Sequence, residues 1–274
     1  MAIDQAYQRR QEDAEGEFYR KLAGQGPRND FERTTQGLYI GTAGGRLLAY
    51  NNNRGPDRIR RLMHKALEDY EPEQPKDLDS GESDPRYVRV PPKDGLVVRV
   101  NAKVLGGYEE SDDRWRSIHQ TALSRDNYWI TGREHRELAA GRLPDSVMRR
   151  LVRFHLIDNT RGEPPMWRDD EIRVLAVALR QGGLSGTVHL RTESGDRGYE
   201  CQILGVIETK GDRVTRFDVV AKGDYWGHGR YTQGPPPGKF PFAVAFRLAD
   251  GTDIADGVPP QGSRGWLKGY IPSD

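Results

Sequence analysis

An α+β fold in two domains follows from three observations. Residues 36–70 carry a hairpin signature and then an amphipathic helical pattern; residues 96–157 hold a strand pattern and two helical patterns; from residue 171 onward the period becomes that of short strands. A chain of 274 residues has room for one large or two ordinary domains. It is 35% hydrophobic and 30% charged, polar for a folded protein, yet its apolar residues are grouped in periodic runs, which argues for folding rather than disorder.

The N-terminal stretch "MAIDQAYQRRQEDAEGEFYR" reads as a polar helix without an apolar core. In "QGLYIGTAGGRLLAY", residues 36–50, a Gly-Gly turn supplies the positive φ that joins two short apolar runs into a hairpin. A helix starts with Pro56 at its first position, carries Ile59, Leu62, Met63, Ala66, Leu67 and Tyr70 on one face, and is stopped by Pro72. The Pro-, Gly- and acid-rich segment behind it marks a linker, so the expected boundaries are a first domain at 1–75, a linker at 76–95 and a β-rich domain at 96–274.

In "LVVRVNAKVL", Leu96, Val98, Val100, Ala102 and Val104 point to a core, and Arg99, Asn101 and Lys103 point away from it. Thr131-x-x-Glu134 is a capping box opening a helix near 132–141. A second helix near 145–157 sets Val147, Leu151 and Phe154 against a basic stripe of Arg149, Arg150 and Arg153, expected to be a solvated face. Strand-like runs near 171–180, 186–192, 199–208, 213–222 and 241–249 predict an antiparallel β-sandwich or partly open barrel. With Ser194 to Arg197 as a loop, Leu190 would face Cys201 and Val188 would face Ile203, which puts Cys201 in the core.

The segment "QGLYIGTAGGRLLAYNNNRGPDRIRRLMHKALEDYEP" looks like the closing hairpin and helix of a degenerate thioredoxin-like fold. With "RLVRFHLIDNTRGEPPMWRDDEIR" and "RFDVVAKGDYWG", it resembles uncharacterised planctomycete-type bacterial proteins in which such a segment precedes a β-rich C-terminal domain. The resemblance implies an architecture, a partial thioredoxin-like hairpin-helix unit plus a β-sandwich or partly open barrel with two helices, and no activity. The CxxC helix and first βαβ portion of a thioredoxin are missing, and Thr34-Thr35 stands where its cis-proline would be, so thiol–disulfide oxidoreductase activity is not expected.

Composition excludes several functions. A single cysteine, Cys201, allows neither an internal disulfide nor a zinc knuckle. With 42 Lys+Arg against 41 Asp+Glu, no global field favours nucleic acid, and none is expected as a partner. No apolar run approaches a membrane span, so the chain is expected to be soluble, either cytoplasmic or exported with its signal removed. There is no GxSxG elbow, P-loop or GxGxxG.

Two segments concentrate reactive side chains. In "FHLIDNTRGEPPMWRDDEIR", residues 154–173, His155 and Asp158 are candidate ligands of a divalent metal, joined by His228 if the two segments meet, with Glu163 as a base. The plainer reading has Asp158 or Asn159 tying the turn after a helix, Pro164-Pro165 preventing its continuation and Trp167 covering the core edge. In "KGDYWGHGRYTQGPPPGKFPF", residues 222–242, Tyr225, Trp226, His228, Arg230 and Tyr231 are candidate ligand contacts on a loop. The sequence thus favours a non-catalytic binding or assembly protein with a protein or carbohydrate partner. The alternatives are a metal-dependent enzyme such as a hydrolase at His155, Asp158 and His228, or a polysaccharide-contacting module at Tyr225 and Trp226.

Overall fold

A computed structural model describes residues 8–53, 55–73, 81, 82, 84, 90–232, 234–263, 270 and 271. The chain divides into two units, Met1–Arg89 and Val90–Asp274. Most of the expected linker, residues 76–80, 83 and 85–89, lies outside the described residues.

In the first unit, helix α1 (Ala14–Ala23) begins at Asp13, whose side chain accepts a hydrogen bond from the Gly16 N–H, an orphan donor of the first turn. Strands β1 (Leu38–Gly41) and β2 (Leu47–Asn51) pair antiparallel, and Gly45 takes φ 81° in the turn between them. Tyr39 stands between Tyr19 and Tyr50 in edge-to-face contacts with ring centroids 6.4 and 5.0 Å apart. Helix α2 (Pro56–Glu68) follows, with its proline in the first turn as read from the sequence. Its apolar stripe is only partly covered: Ala66 is buried, whereas Leu67 is 65% exposed and Met63 and Tyr70 are exposed too.

The second unit opens with β3 (Leu96–Val104), whose residues Val98, Val100, Ala102 and Val104 are all buried, as the alternation requires. Two elements absent from the sequence reading come next, α3 (Arg114–Thr121) and β4 (Asp126–Ile130). Helix α4 (Gly132–Ala139) starts on the Thr131/Glu134 capping box, with Thr131 N–H donating to Glu134 Oε2 at 2.9 Å and Glu134 N–H to Thr131 Oγ1 at 3.3 Å. Helix α5 spans Asp145–His155 and buries Val147, Leu151 and Phe154. Its expected basic stripe is broken: Arg149 is exposed, but Arg150 is buried in an ion pair with Glu134 and donates to Trp129 O at 3.1 Å.

Strands β5 (Ile172–Arg180), β6 (Gly183–Arg191), β7 (Gly198–Lys210), β8 (Arg213–Trp226) and β9 (Lys239–Leu248) complete one antiparallel sheet in the order β4-β3-β9-β8-β7-β6-β5. The β5–β6 connection is a tight turn with Gln181 and Gly182 at φ 51° and 79°, the paired positive values of a two-residue hairpin turn. The expected α+β class holds, and where a sandwich or partly open barrel was expected the described strands of this unit form one open, unclosed sheet. Helix α5 packs on β4, and α4 packs on β7 and β8, so helices cover the apolar face that a second sheet would otherwise have to cover.

The β6–β7 register also differs from the expected one. Val188 faces Cys201 and Leu190 faces Tyr199, a slip of two residues. Thr192 sets it, because its N–H donates to Arg197 O at 3.0 Å and its Oγ1 accepts from Arg197 N–H, which places the loop at Glu193–Asp196, one position earlier than expected. A two-residue slip preserves the face of every side chain, so Cys201 is buried all the same.

Candidate functional site

The two segments rich in reactive side chains meet, but through their backbones. Glu163 and Tyr231 form an isolated antiparallel bridge, and Arg161 Nη1 donates to Thr232 O at 2.6 Å. Gly162 sits at φ 144°, and a Cβ there would collide with the Tyr231 carbonyl oxygen, so only glycine permits this approach. Arg197 Nη1 ties the other side of the junction by donating to Pro165 O at 2.5 Å.

His155 is buried at the end of α5 with both ring nitrogens against protein. Burial pushes the Tyr270 phenol well above its ordinary range, so its hydroxyl keeps its proton. It accepts from Trp129 N–H at 3.3 Å and shares a hydrogen bond with His155 Nε2 at 2.7 Å. His155 Nδ1 lies 3.2 Å from Asp126 Oδ2 but out of line for a hydrogen bond. The other oxygen, Asp126 Oδ1, accepts from Asn127 N–H at 2.8 Å and Gln261 N–H at 3.0 Å. The Asp126–His155–Tyr270 series has the residue types of a catalytic relay, yet it is sealed inside the protein and ties α5, β4 and the C-terminal region together.

Asp158 serves the turn beyond it. Its Oδ1 accepts from Thr160 N–H at 3.1 Å and Thr160 Oγ1 at 2.6 Å, and its Oδ2 is paired with Arg161. His228 is exposed, its Nδ1 3.0 Å from the carbonyl oxygen of Gly229. Among the described residues no three His, Cys, Asp or Glu side chains gather as metal ligands, so the metal set His155, Asp158 and His228 is corrected. The first two are consumed by protein partners, and Trp167, buried with its Nε1 donating to Leu156 O at 2.7 Å, covers the core edge.

The expected aromatic loop is shorter than its sequence suggests, because β8 runs on to Trp226. Tyr225 is therefore a core residue and not a ligand contact, packed against Trp167, Tyr199, Phe240 and Phe242, and burial raises its phenol pKa to about 12. Trp226 is half-buried: its ring packs over Gly198, where any Cβ would collide with it, Lys239 Nζ lies 4.5 Å from its centroid, and its Nε1 donates to Gly195 O at 2.9 Å. Arg230 and Tyr231 face solvent beyond it, the guanidinium carbon 5.4 Å from the tyrosine ring centroid.

A shallow cavity of about 230 Å³, lined by Lys103, Val104, Leu105, Gly106, Tyr108 and Gln120, escaped the sequence reading. Tyr108 Oη donates to Gly234 O at 3.2 Å beside it, and the His119 ring of α3 stands 6.4 Å from the Tyr108 ring. Burial and then the nearby Arg161 charge hold His119 below its ordinary value, hence neutral at physiological pH. Its volume is under the roughly 300 Å³ at which small-molecule pockets begin. The pair Gly106-Gly107 ahead of Tyr108 was the sequence signal available.

Fold and side chains together define an α+β protein with an open antiparallel sheet, whose candidate site is a solvent-facing rim after β8. The chain matches no protein-family model, no curated protein and no solved structure. Among the described residues no helix is long and apolar enough to cross a membrane.

Proposed function

We propose that this chain is a non-catalytic binding or assembly protein that recognises another protein through the rim of His228, Arg230 and Tyr231. The observation that carries this reading is Tyr231, a residue 64% exposed while its backbone is held by the bridge to Glu163 and the close approach of Gly162. An exposed aromatic on a fixed backbone loses little freedom on binding, and tyrosine and arginine are the residues that most often anchor protein interfaces. The chemistry-bearing groups elsewhere fit a non-catalytic role: His155, Asp158 and Cys201 are buried in the protein's own contacts. Trp226, with its ring against Gly198 and Lys239, is less suited to stack on a sugar, which favours a protein over a carbohydrate partner. On this reading nucleic acid is not a partner, since Lys222 and Lys239 on the outer sheet face are interspersed with Glu200 and Asp224. The hairpin leading into α2 supports descent of the first unit from a thioredoxin-like fold.

A photo-crosslinking side chain placed at Tyr231, in extract of the source cells, tests the rim. A discrete protein adduct is expected at Tyr231 and not at the more exposed Ile254, with loss of the adduct on Arg230→Ala. Equal labelling from both positions refutes the reading.

A further inference from the structure

The sheet protects one of its edges and leaves the other open. At the β4 edge, Asn127 Nδ2 donates to Ala255 O at 2.6 Å and Val258 O at 2.9 Å, and Gln261 N–H reaches Asp126, so the segment after β9 covers a strand of only five residues. At the opposite edge, β5 runs for nine residues, IRVLAVALR, and among the described residues pairs with β6 alone. Between Val174 and Leu179 it carries neither proline nor charge: its arginines, Arg173 and Arg180, stand towards its ends, and its one bulge, between Ile172 and Val174, lies at its beginning. Leu175, Val177 and Leu179 lean on the core but are only partly buried, while Val174, Ala176 and Ala178 are exposed on the outer face.

The order of residues in this strand identifies its partner. Read outward from Val177, the strand has Ala176 and Ala178, then Leu175 and Leu179, then Val174 and Arg180. An antiparallel copy turned about a two-fold axis through Val177 sets Val177 against Val177, Leu175 against Leu179 and Ala176 against Ala178. Every one of these pairs stays on its own face of the sheet. Arg180 then lies opposite Val174, so no like charges stand directly across from each other. Sliding by two residues sets Arg173 against Leu179 in one direction and Leu175 against Gln181 of the turn in the other, so only the centred register pairs the five residues from Leu175 to Leu179 wholly with one another.

We propose that two copies of this chain associate edge to edge through β5 about an axis at Val177, joining their sheets into one and forming about six to eight new backbone hydrogen bonds. The pairing consumes the open edge of both copies, and the other edge is covered, so assembly stops at the dimer. It is independent of the rim at Tyr231, and the fate of either proposal leaves the other standing.

Sedimentation velocity on the full chain, from low to high micromolar concentration, provides the first test. A monomer–dimer equilibrium is expected, weakened at least about tenfold by Val177→Lys, which places two like charges face to face on the axis. Circular dichroism checks that this variant folds, and a milder pair keeps the test decisive if it does not. Oxidised Val177→Cys should link covalently into dimers at least about tenfold faster than Ala176→Cys, because only the axial position meets itself at disulfide distance, and the native Cys201 is buried and does not compete. A chain that stays monomeric throughout, forms open-ended oligomers, or links equally fast at the two positions overturns the proposal.

Discussion

Replacing Arg150 with methionine probes the buried ion pair beneath the His155 network. The side chains of Arg150 and Glu134 are 2% and 5% exposed. Glu134 also accepts from Thr131 N–H at 2.9 Å and Ser146 Oγ at 2.6 Å, so it is fixed in place and cannot swing out to water when its partner is lost. Removing one member of such a pair leaves an uncompensated buried charge, at a cost of about 3 to 5 kcal/mol. The double variant Glu134→Gln, Arg150→Met removes both charges and should cost less than Arg150→Met alone. Burial by itself would raise the Glu134 carboxyl, but the Arg150 guanidinium and the hydrogen bonds outweigh it and hold the carboxyl below its usual range. The pair's stabilisation is therefore complete above the unfolded carboxyl value, about 4.3, and is lost as pH falls through the lower folded value. In Arg150→Met the carboxyl loses the lowering effect of the guanidinium and keeps burial, which raises it, against the hydrogen bonds of Ser146 and Thr131 alone, so it protonates at higher pH than in wild type and the deficit should shrink on acidification. Urea unfolding followed by tryptophan fluorescence, with hydrogen exchange of α5 amides to localise the loss, measures it. A cost below about 1 kcal/mol, or a deficit independent of pH, refutes the reasoning.

Two further outcomes are expected. Tyr270→Phe keeps the ring contacts with Phe154 and His155 but leaves His155 Nε2 and Trp129 N–H without their hydroxyl partner; a loss of about 1 to 3 kcal/mol should appear in denaturant unfolding, and an unchanged midpoint would remove that role. Burial pushes the Cys201 thiol up to about 12, so an aromatic disulfide reagent at about pH 8 should react only after unfolding, whereas rapid stoichiometric reaction of the native chain would show the thiol to be open.

The strands of the second unit were legible because each has one buried face, and a period of two then records it. β3 and β5 to β9 fall close to where alternation placed them. β4 was missed because Asp126–Ile130, DNYWI, is too short to display a period, and four of its five residues are buried, which removes the polar half of the pattern. α3 was missed because RWRSIHQT carries hardly any apolar stripe. The α2 stripe shows the reverse: Met63, Leu67 and Tyr70 have helical spacing and are exposed, since periodicity records a helix and not what covers it.

What the sequence determined by itself is local: the Thr131/Glu134 cap, the glycine turn between β1 and β2, the alternation that buries Cys201, and the side-chain tie of Asp158 in the turn after α5. Each depends on residues a few positions apart, within reach of the backbone's own geometry. Only the tertiary structure decided that His155 belongs to Asp126 and Tyr270, that Arg150 turns inward to Glu134, and that Glu163 meets Tyr231 while His155 and His228 do not share a metal. Those pairings join residues from 16 to 115 positions apart. A polar side chain takes whichever partner the packing of the sheet and helices brings within about 3 Å, and no local pattern in the chain encodes that choice.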